Sequence, residues 1–343
     1  MNRRRGILAA GNWIVDRVKQ IDRWPGEGNL CNILREQRAA GGGPCNVLFD
    51  LAALDPGLPL YAAGRVGEDE DGELLLAEIR RRGIDGSFLR RSATAPTSYS
   101  EVMSGGGKRT FFHCRGANAE LEADELAAID VPARFFYLGY LLLLDRLDAA
   151  DPEYGTRAAR LLAEMRARGY LTVTDFVSEA PEKFRKTVLP ALPHIDILII
   201  NEVEAGCCLG ESVRKDDGTL IPPQLRRAAE CLIAGGVNRL AVIHFPEGAV
   251  ALSREGEYCQ AASCRIDPAD IAGTNGAGDA FAAGVIYALH EGMPLERALH
   301  VGNASGYFNL LSATANEGAV GMEKIYQKLE QEIPAPAAPY RRR

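Results

Sequence analysis

The run Gly273-Thr274-Asn275-Gly276-Ala277-Gly278-Asp279-Ala280-Phe281 joins a glycine-rich turn to a long run of small residues, with an aspartate at the junction. Gly276, Ala277 and Gly278 have little or no side chain, so their backbone N–H groups can approach a phosphate closely. The helix that follows adds the positive end of its dipole. Asp279 is unsuited to hold that phosphate, because like charges repel, but it suits a proton acceptor for a hydroxyl attacking it. Gly276, Ala277, Gly278 and Asp279 are therefore the candidate catalytic set for phosphoryl transfer, with Asn275 a nucleotide contact beside them. The plainer alternative is a glycine turn that starts a helix with an acidic first residue.

Three further pieces fit the same chemistry. Asp16, an ionised acceptor at a strand end, can take two hydroxyl donors from a sugar; its alternative is a helix or turn cap. In Gly41-Gly42-Gly43-Pro44-Cys45-Asn46, Gly42 lets the backbone touch a substrate and Asn46 offers it both a donor and an acceptor, or Asn46 is only a first-turn polar residue. Asn201 and Glu204 follow the apolar run Ile195–Ile200 and share one helix face. Magnesium keeps most of its waters and needs few protein oxygens, so Glu204 suits a metal ligand through water and Asn201 a nucleotide contact. The same spacing equally satisfies a helix-capping box.

Strand-like and helix-like patterns alternate around these residues. Ile7–Ala10, Phe135–Leu138, Leu171–Asp175, Ile195–Ile200 and Leu240–Ile243 are apolar runs of buried-strand type. Helices are expected from Pro44 to Leu54, over Thr156–Arg168 and over Pro222–Ala234. The alternation implies a mostly parallel sheet covered on both faces, with ligands beyond the carboxyl ends of its strands. Two regions break the pattern. Arg17–Ala40 is polar and extended, and Thr97–Arg115 reads as a hairpin, Ser98–Met103 and Lys108–Cys114 joined at Gly105-Gly106-Gly107. They are expected to form a small β lid (17–40 and 97–115) beside an α/β catalytic domain (1–16, 41–96 and 116–332). The lid's exposed face would suit a homodimer contact. The Pro/Ala-rich tail, 333–343, is expected to be disordered.

The 343 residues are 47% hydrophobic and 25% charged, with a net charge of −7. That balance leaves no dense basic face, so nucleic acid is not an expected partner. Arg3-Arg4-Arg5 and Arg341-Arg342-Arg343 are terminal, and Arg80-Arg81-Arg82 reads as the solvated end of a helix. The apolar run Gly6–Ala10 is too short for a secretion signal, and no segment approaches membrane-spanning length. The eight cysteines lack zinc or Cys-x-x-Cys spacing, so they are expected to be buried thiols in a reducing cytoplasm.

On these residues the chain resembles the ribokinase-like (PfkB) carbohydrate kinases from about Ile7 to Leu329. Gly41-Gly42-Gly43-Pro44-Cys45-Asn46 looks like the family's N-terminal signature and Gly276-Ala277-Gly278-Asp279-Ala280-Phe281 like its C-terminal one. Gly11-Asn12-Trp13-Ile14-Val15-Asp16 is similar to the loop whose aspartate holds sugar hydroxyls. Gly64 to Gly72 looks like the Gly-x-Val-Gly-x-Asp-x-x-Gly segment, Asn201-Glu202-Val203-Glu204 like the Asn-x-x-Glu motif, and Phe245 to Ala249 lies where the nucleotide loop belongs, with Gly248 as a nucleotide contact. The resemblance implies a three-layer α/β/α fold with a mostly parallel central sheet and a small β-sheet lid. It implies an ATP-dependent kinase, using Mg2+, that phosphorylates a primary hydroxyl of a small sugar.

Three departures qualify that reading. Gly273 stands where relatives that need a monovalent cation carry an aspartate, so no such cation is expected to be required, unless Asp267 or Asp270 substitutes. The nucleotide loop begins His244-Phe245-Pro246 rather than Thr-x-Gly. Asp175-Phe176-Val177-Ser178 lacks the asparagine and arginine of sugar-acid kinases. Thr274-Asn275 also occurs in adenosine-kinase-like members, and Trp24, Tyr99, Phe111 or Phe112 could stack a base. A nucleoside kinase, or a non-catalytic sugar- or nucleotide-binding sensor, are the alternatives.

Overall fold

The computed structural model describes residues 4–106, 108–177 and 181–332. The expected tail, 333–343, lies outside the described residues, as do Gly107 and Ser178 of the motifs above. Fifteen strands follow in chain order: β1 (Ile7–Gly11), β2 (Ile14–Ile21), β3 (Ile33–Gly41), β4 (Leu60–Gly67), β5 (Asp85–Ser92), β6 (Ser98–Gly105), β7 (Lys108–Cys114), β8 (Phe135–Leu141), β9 (Ala150–Asp151), β10 (Gly155–Thr156), β11 (Leu171–Phe176), β12 (Ile197–Asn201), β13 (Leu240–Phe245), β14 (Gly248–Ser253) and β15 (Tyr258–Ala262).

Nine of them form the main sheet in the order β15-β14-β13-β12-β11-β8-β1-β4-β5. All its pairings are parallel except the two that add β14 and β15. Strand β1 is buried at all five residues, which is why it reads as an unbroken apolar run rather than an alternating one. Its Ile7 and Ala9 face a core completed by the helices Gly43–Leu54, Ala277–His290 and Leu295–Leu310; Leu8 and Ala10 face a second core with the helices Arg157–Ala167 and Pro222–Ala234. Those two cores make the three layers. No helix among the described residues is long and apolar enough to cross a membrane.

The small sheet has the order β3-β2-β6-β7, with β2 and β6 parallel and the outer pairs antiparallel. It starts at Ile14, ahead of Arg17, so Asp16 stands on it. The link to β1 is a two-residue corner that is anchored from both sides. Trp13 is fully buried and its indole N–H donates to the Ala63 carbonyl at 2.8 Å, while its backbone N–H donates to Asn118 Oδ1 at 3.2 Å. Glycine at 64 is required there, because a Cβ would lie 2.5 Å from the Trp13 ring.

Two local expectations are corrected. Arg82 is not solvated: its guanidinium lies 3.9 Å over the Phe49 ring and pairs with Glu78, so its stem packs on the core while Arg81 stays outside. Of the eight free cysteines only Cys45 is buried; Cys231 is exposed and the rest half-buried.

Candidate active site

The carboxyl ends of β8, β11, β12 and β13 and one face of the small sheet enclose a cleft of about 530 Å³. Asp16, Gly42, Asn46, Asn201, Glu204, Asn275, Gly276, Gly278 and Asp279 all line it. Ala277 and Gly248 do not. Gly248 sits at the start of β14, where a Cβ would lie 2.3 Å from the Ala261 carbonyl oxygen, so the main sheet's packing already accounts for that glycine.

Gly276 precedes the helix Ala277–His290 with φ 79, a left-handed conformation that suits glycine. A Cβ there would also lie 2.4 Å from the Ala315 carbonyl oxygen. The first-turn N–H groups that follow have no carbonyl partner within the helix and point toward the cleft end of its axis. Asp279, in that first turn, is 6% exposed. The Tyr140 hydroxyl donates to both its oxygens, at 2.7 and 2.8 Å, and Asn46 Nδ2 donates to Oδ2 at 2.8 Å. Burial pushes the Asp279 carboxyl up to about 6 against the pull of those two donors, and the charge of Asp16 adds to the rise.

Asn46 is occupied at both ends of its amide, since Oδ1 accepts from Asn316 Nδ2 at 3.1 Å. The sequence suggests an amide presented to substrate; the fold instead fastens it to the carboxylate. Asn275, expected on the nucleotide, donates to Asp16 Oδ2 at 3.1 Å. Burial lifts Asp16 to about 6, opposed by that bond and by the charge of Arg109. Gly41 and Gly42 make room for this corner: a Cβ at 41 would meet Asp16 Oδ2 at 2.7 Å, and one at 42 the Asn12 carbonyl at 2.0 Å.

Asn201 and Glu204 form the reciprocal capping box that the spacing allows. Asn201 Oδ1 accepts from the N–H groups of Val203 and Glu204, and Glu204 accepts from the Asn201 backbone N–H at 3.0 Å and from Nδ2 at 2.8 Å. Both still face the cleft. Asp175 lies beside Glu204, 7% exposed, and its carboxyl is raised well above the usual range by burial, then by the charges of Glu204 and Asp279. Two neighbouring buried carboxyls of hard-oxygen type fit a magnesium ion held largely through water. Among the described residues no group of three or more acidic, cysteine or histidine side chains is arranged to hold a metal by itself.

Sequence spacing did not reveal Tyr140, Ser100 or His113 in this cleft. His113 Nδ1 shares a hydrogen bond with Ser100 Oγ at 3.1 Å while Nε2 is buried without a partner. Of the four lid aromatics only Phe111 lines the cleft; Tyr99 packs under the Arg17 guanidinium at 4.0 Å, and Trp24 donates to the Gly105 carbonyl at 2.8 Å. His244, the first departure in the nucleotide loop, is the penultimate residue of β13 and lies beside the glycines, with a Gly278 Cβ position 3.1 Å from its ring. Burial lowers its imidazole to about 4. Arg214 bridges Glu247 of the same loop and Glu202, at 2.7 and 3.1 Å.

A family model described as pfkB family carbohydrate kinase matches residues 9–320. The adenosine kinase of Schizophyllum commune is 26% identical over 278 residues, covering 77% of each chain. Probable fructokinase-7 of Arabidopsis thaliana is 25% identical over 341 residues, covering 94% of this chain and 92% of its own. The structure of Arabidopsis thaliana ribokinase with ribose and ATP superposes with a TM-score of 0.74 at 20% identity, over 95% of this chain and 99% of that one.

Proposed function

The chain belongs to the pfkB family of carbohydrate kinases, and with it to the phosphotransferases, and we propose that it transfers the γ-phosphoryl group of ATP to a primary hydroxyl of a small sugar with Asp279 as general base. One observation carries this reading: a buried carboxylate held by two side-chain donors at the mouth of a glycine-capped helix, facing a second carboxylate, Asp16, across the same cleft. Asp16 orients the sugar by accepting its hydroxyls. The attacking oxygen bonds to the γ-phosphorus as the bond to the β-phosphate oxygen breaks, ADP leaves, and the hydroxyl proton passes to Asp279. The Gly276–Gly278 turn and the helix end stabilise the charge on the transferring group. Kinases of this family use ATP with Mg2+; Glu204, Asp175 and Asn201 are the side chains suited to its hydrated ion, which would offset charge on the phosphates. The small sheet, as a lid, would keep out water that competes for the phosphoryl group.

A nucleoside is the second reading, supported by Phe111 in the cleft wall and by the similarity to an adenosine kinase. ADP release measured over a panel of sugars and nucleosides separates the two. Turnover of sugars with a primary hydroxyl supports the first; turnover restricted to nucleosides would replace it with the second.

A further inference from the structure

The small sheet treats its cations differently on its two faces. On the outer face Arg17, Lys19 and Arg38 are all ion-paired, to Asp71, Glu101, Glu36 and Glu70. On the inner face Arg35 and Arg109 have no ion-pair or hydrogen-bond partner for their guanidinium groups among the described residues. Both line a second cavity, of about 320 Å³, that shares Asp16 and Asn275 with the catalytic cleft. Asp16 is the only acid among its lining residues.

The strand register places the two arginines on one face of the sheet. Arg35 pairs with Gln20, Gln20 with Ser104, and Ser104 with Arg109, so the four residues form one row across β3, β2, β6 and β7. The arginines stand at its two ends, over a glutamine and a serine that are hydrogen-bonding groups without charge. Asp16 lies on a parallel row four residues back along β2, ~13 Å away at the usual strand rise. Between them Val18 and Val102 make an apolar step. The cavity thus has hydroxyl acceptors at the end near Asp279 and unpaired planar cations at the other.

We propose that the substrate carries a carboxylate or phosphate seated between Arg35 and Arg109, with its reacting hydroxyl held near Asp16 and Asp279. This rests on the kinase reading above. Guanidinium forks match both oxyanions; Arg35 is exposed and Arg109 acts on the Asp16 carboxyl only through its charge, so neither fork is tied up by an ion pair within the sheet. Substitution of either arginine breaks no ion pair, so the variants test binding rather than folding.

The test uses two matched pairs of probes, D-fructose 6-phosphate with D-fructose and D-gluconate with D-glucitol. Their affinities are measured by calorimetry, and their turnover by ADP release, on the wild type, Arg35→Gln and Arg109→Gln. At least one anionic probe should bind about tenfold or more tightly than its uncharged partner, and the pair that shows this tells phosphate from carboxylate. Arg35→Gln should erase that preference through KM, with kcat little changed and the uncharged probe unaffected; Arg109→Gln should erase it too, while also raising the Asp16 carboxyl that its charge lowers. Equal affinities within both pairs, failure of both anions to bind, or a preference that survives both substitutions would overturn the proposal. If none of the four is phosphorylated, the wider panel of sugars and nucleosides decides the kinase reading, and the calorimetric difference still decides the arginine pocket.

Discussion

A carboxylate buried as deeply as Asp279 must remain ionised near neutral pH to accept a proton, and its two side-chain donors supply part of the means. The Tyr140 hydroxyl and the Asn46 amide favour the charged form against burial. Asp16 also sits at about 6 and raises Asp279, so the acid limb of the rate profile belongs to the pair. Tyr140→Phe removes a donor to the charged state, which raises the carboxyl. The acid limb of kcat/KM is therefore expected to move from about 6 to higher pH, by ~1 unit for a hydrogen bond to charge worth ~1.5 kcal/mol. A limb that stays in place in the pH–rate profile would show that Tyr140 only packs. The sequence carried Asp279 and its glycines but not Tyr140. Asp279's place was marked by flanking turn chemistry, whereas Tyr140 sits inside the apolar run 135–144 and meets Asp279, 139 residues further along the chain, only in the folded structure.

At the level of elements, Asn201 has two candidate jobs that one series of variants separates. Asn201→Ala removes the cap of the helix Glu202–Leu209 and should lower stability to denaturant by ~1 kcal/mol, with a raised KM for ATP. Asn201→Ser keeps a capping oxygen and loses the amide, so stability should recover while the KM for ATP stays raised. Recovery of both would leave Asn201 as a cap alone. The loop before the catalytic helix makes a second case. Gly273 packs against the Ser312 carbonyl, 2.8 Å from a Cβ position. Asp267 and Asp270 are exposed, and Asp267 accepts from the Ala269 N–H of its own turn at 2.9 Å. The catalytic rate is expected to be nearly indifferent to potassium against tetramethylammonium at constant ionic strength. Several-fold activation would mean that an acidic ligand other than residue 273 completes a cation site. The helices were legible from proline, glycine and apolar spacing, Pro222–Ala234 to the residue. The start of β2 was not, because Gly11-Asn12 reads as a loop and the anchoring of Trp13 by Ala63 and Asn118 is made across the chain.

Across the whole molecule, the main sheet fixes the ends of four strands around the cleft and the small sheet closes one side of it, so Asp16, Gly42 and Asn46 meet Asn275, Gly276 and Asp279 from the far part of the chain. The order of the motifs made that architecture readable from sequence. The pairing of rows across the small sheet, which decides what a substrate meets beyond Asp16, was not readable, since antiparallel and parallel neighbours set their register through contacts between distant segments. The account stands on Asp279 as the base. The most direct measurement is turnover by Asp279→Asn with a sugar the wild type phosphorylates, alongside calorimetric affinities for that sugar and for ATP. The expected result is a kcat lower by roughly 10²–10⁴-fold with both affinities nearly unchanged; turnover near the wild-type rate would contradict it and reduce Asp279 to the first acidic residue of a helix.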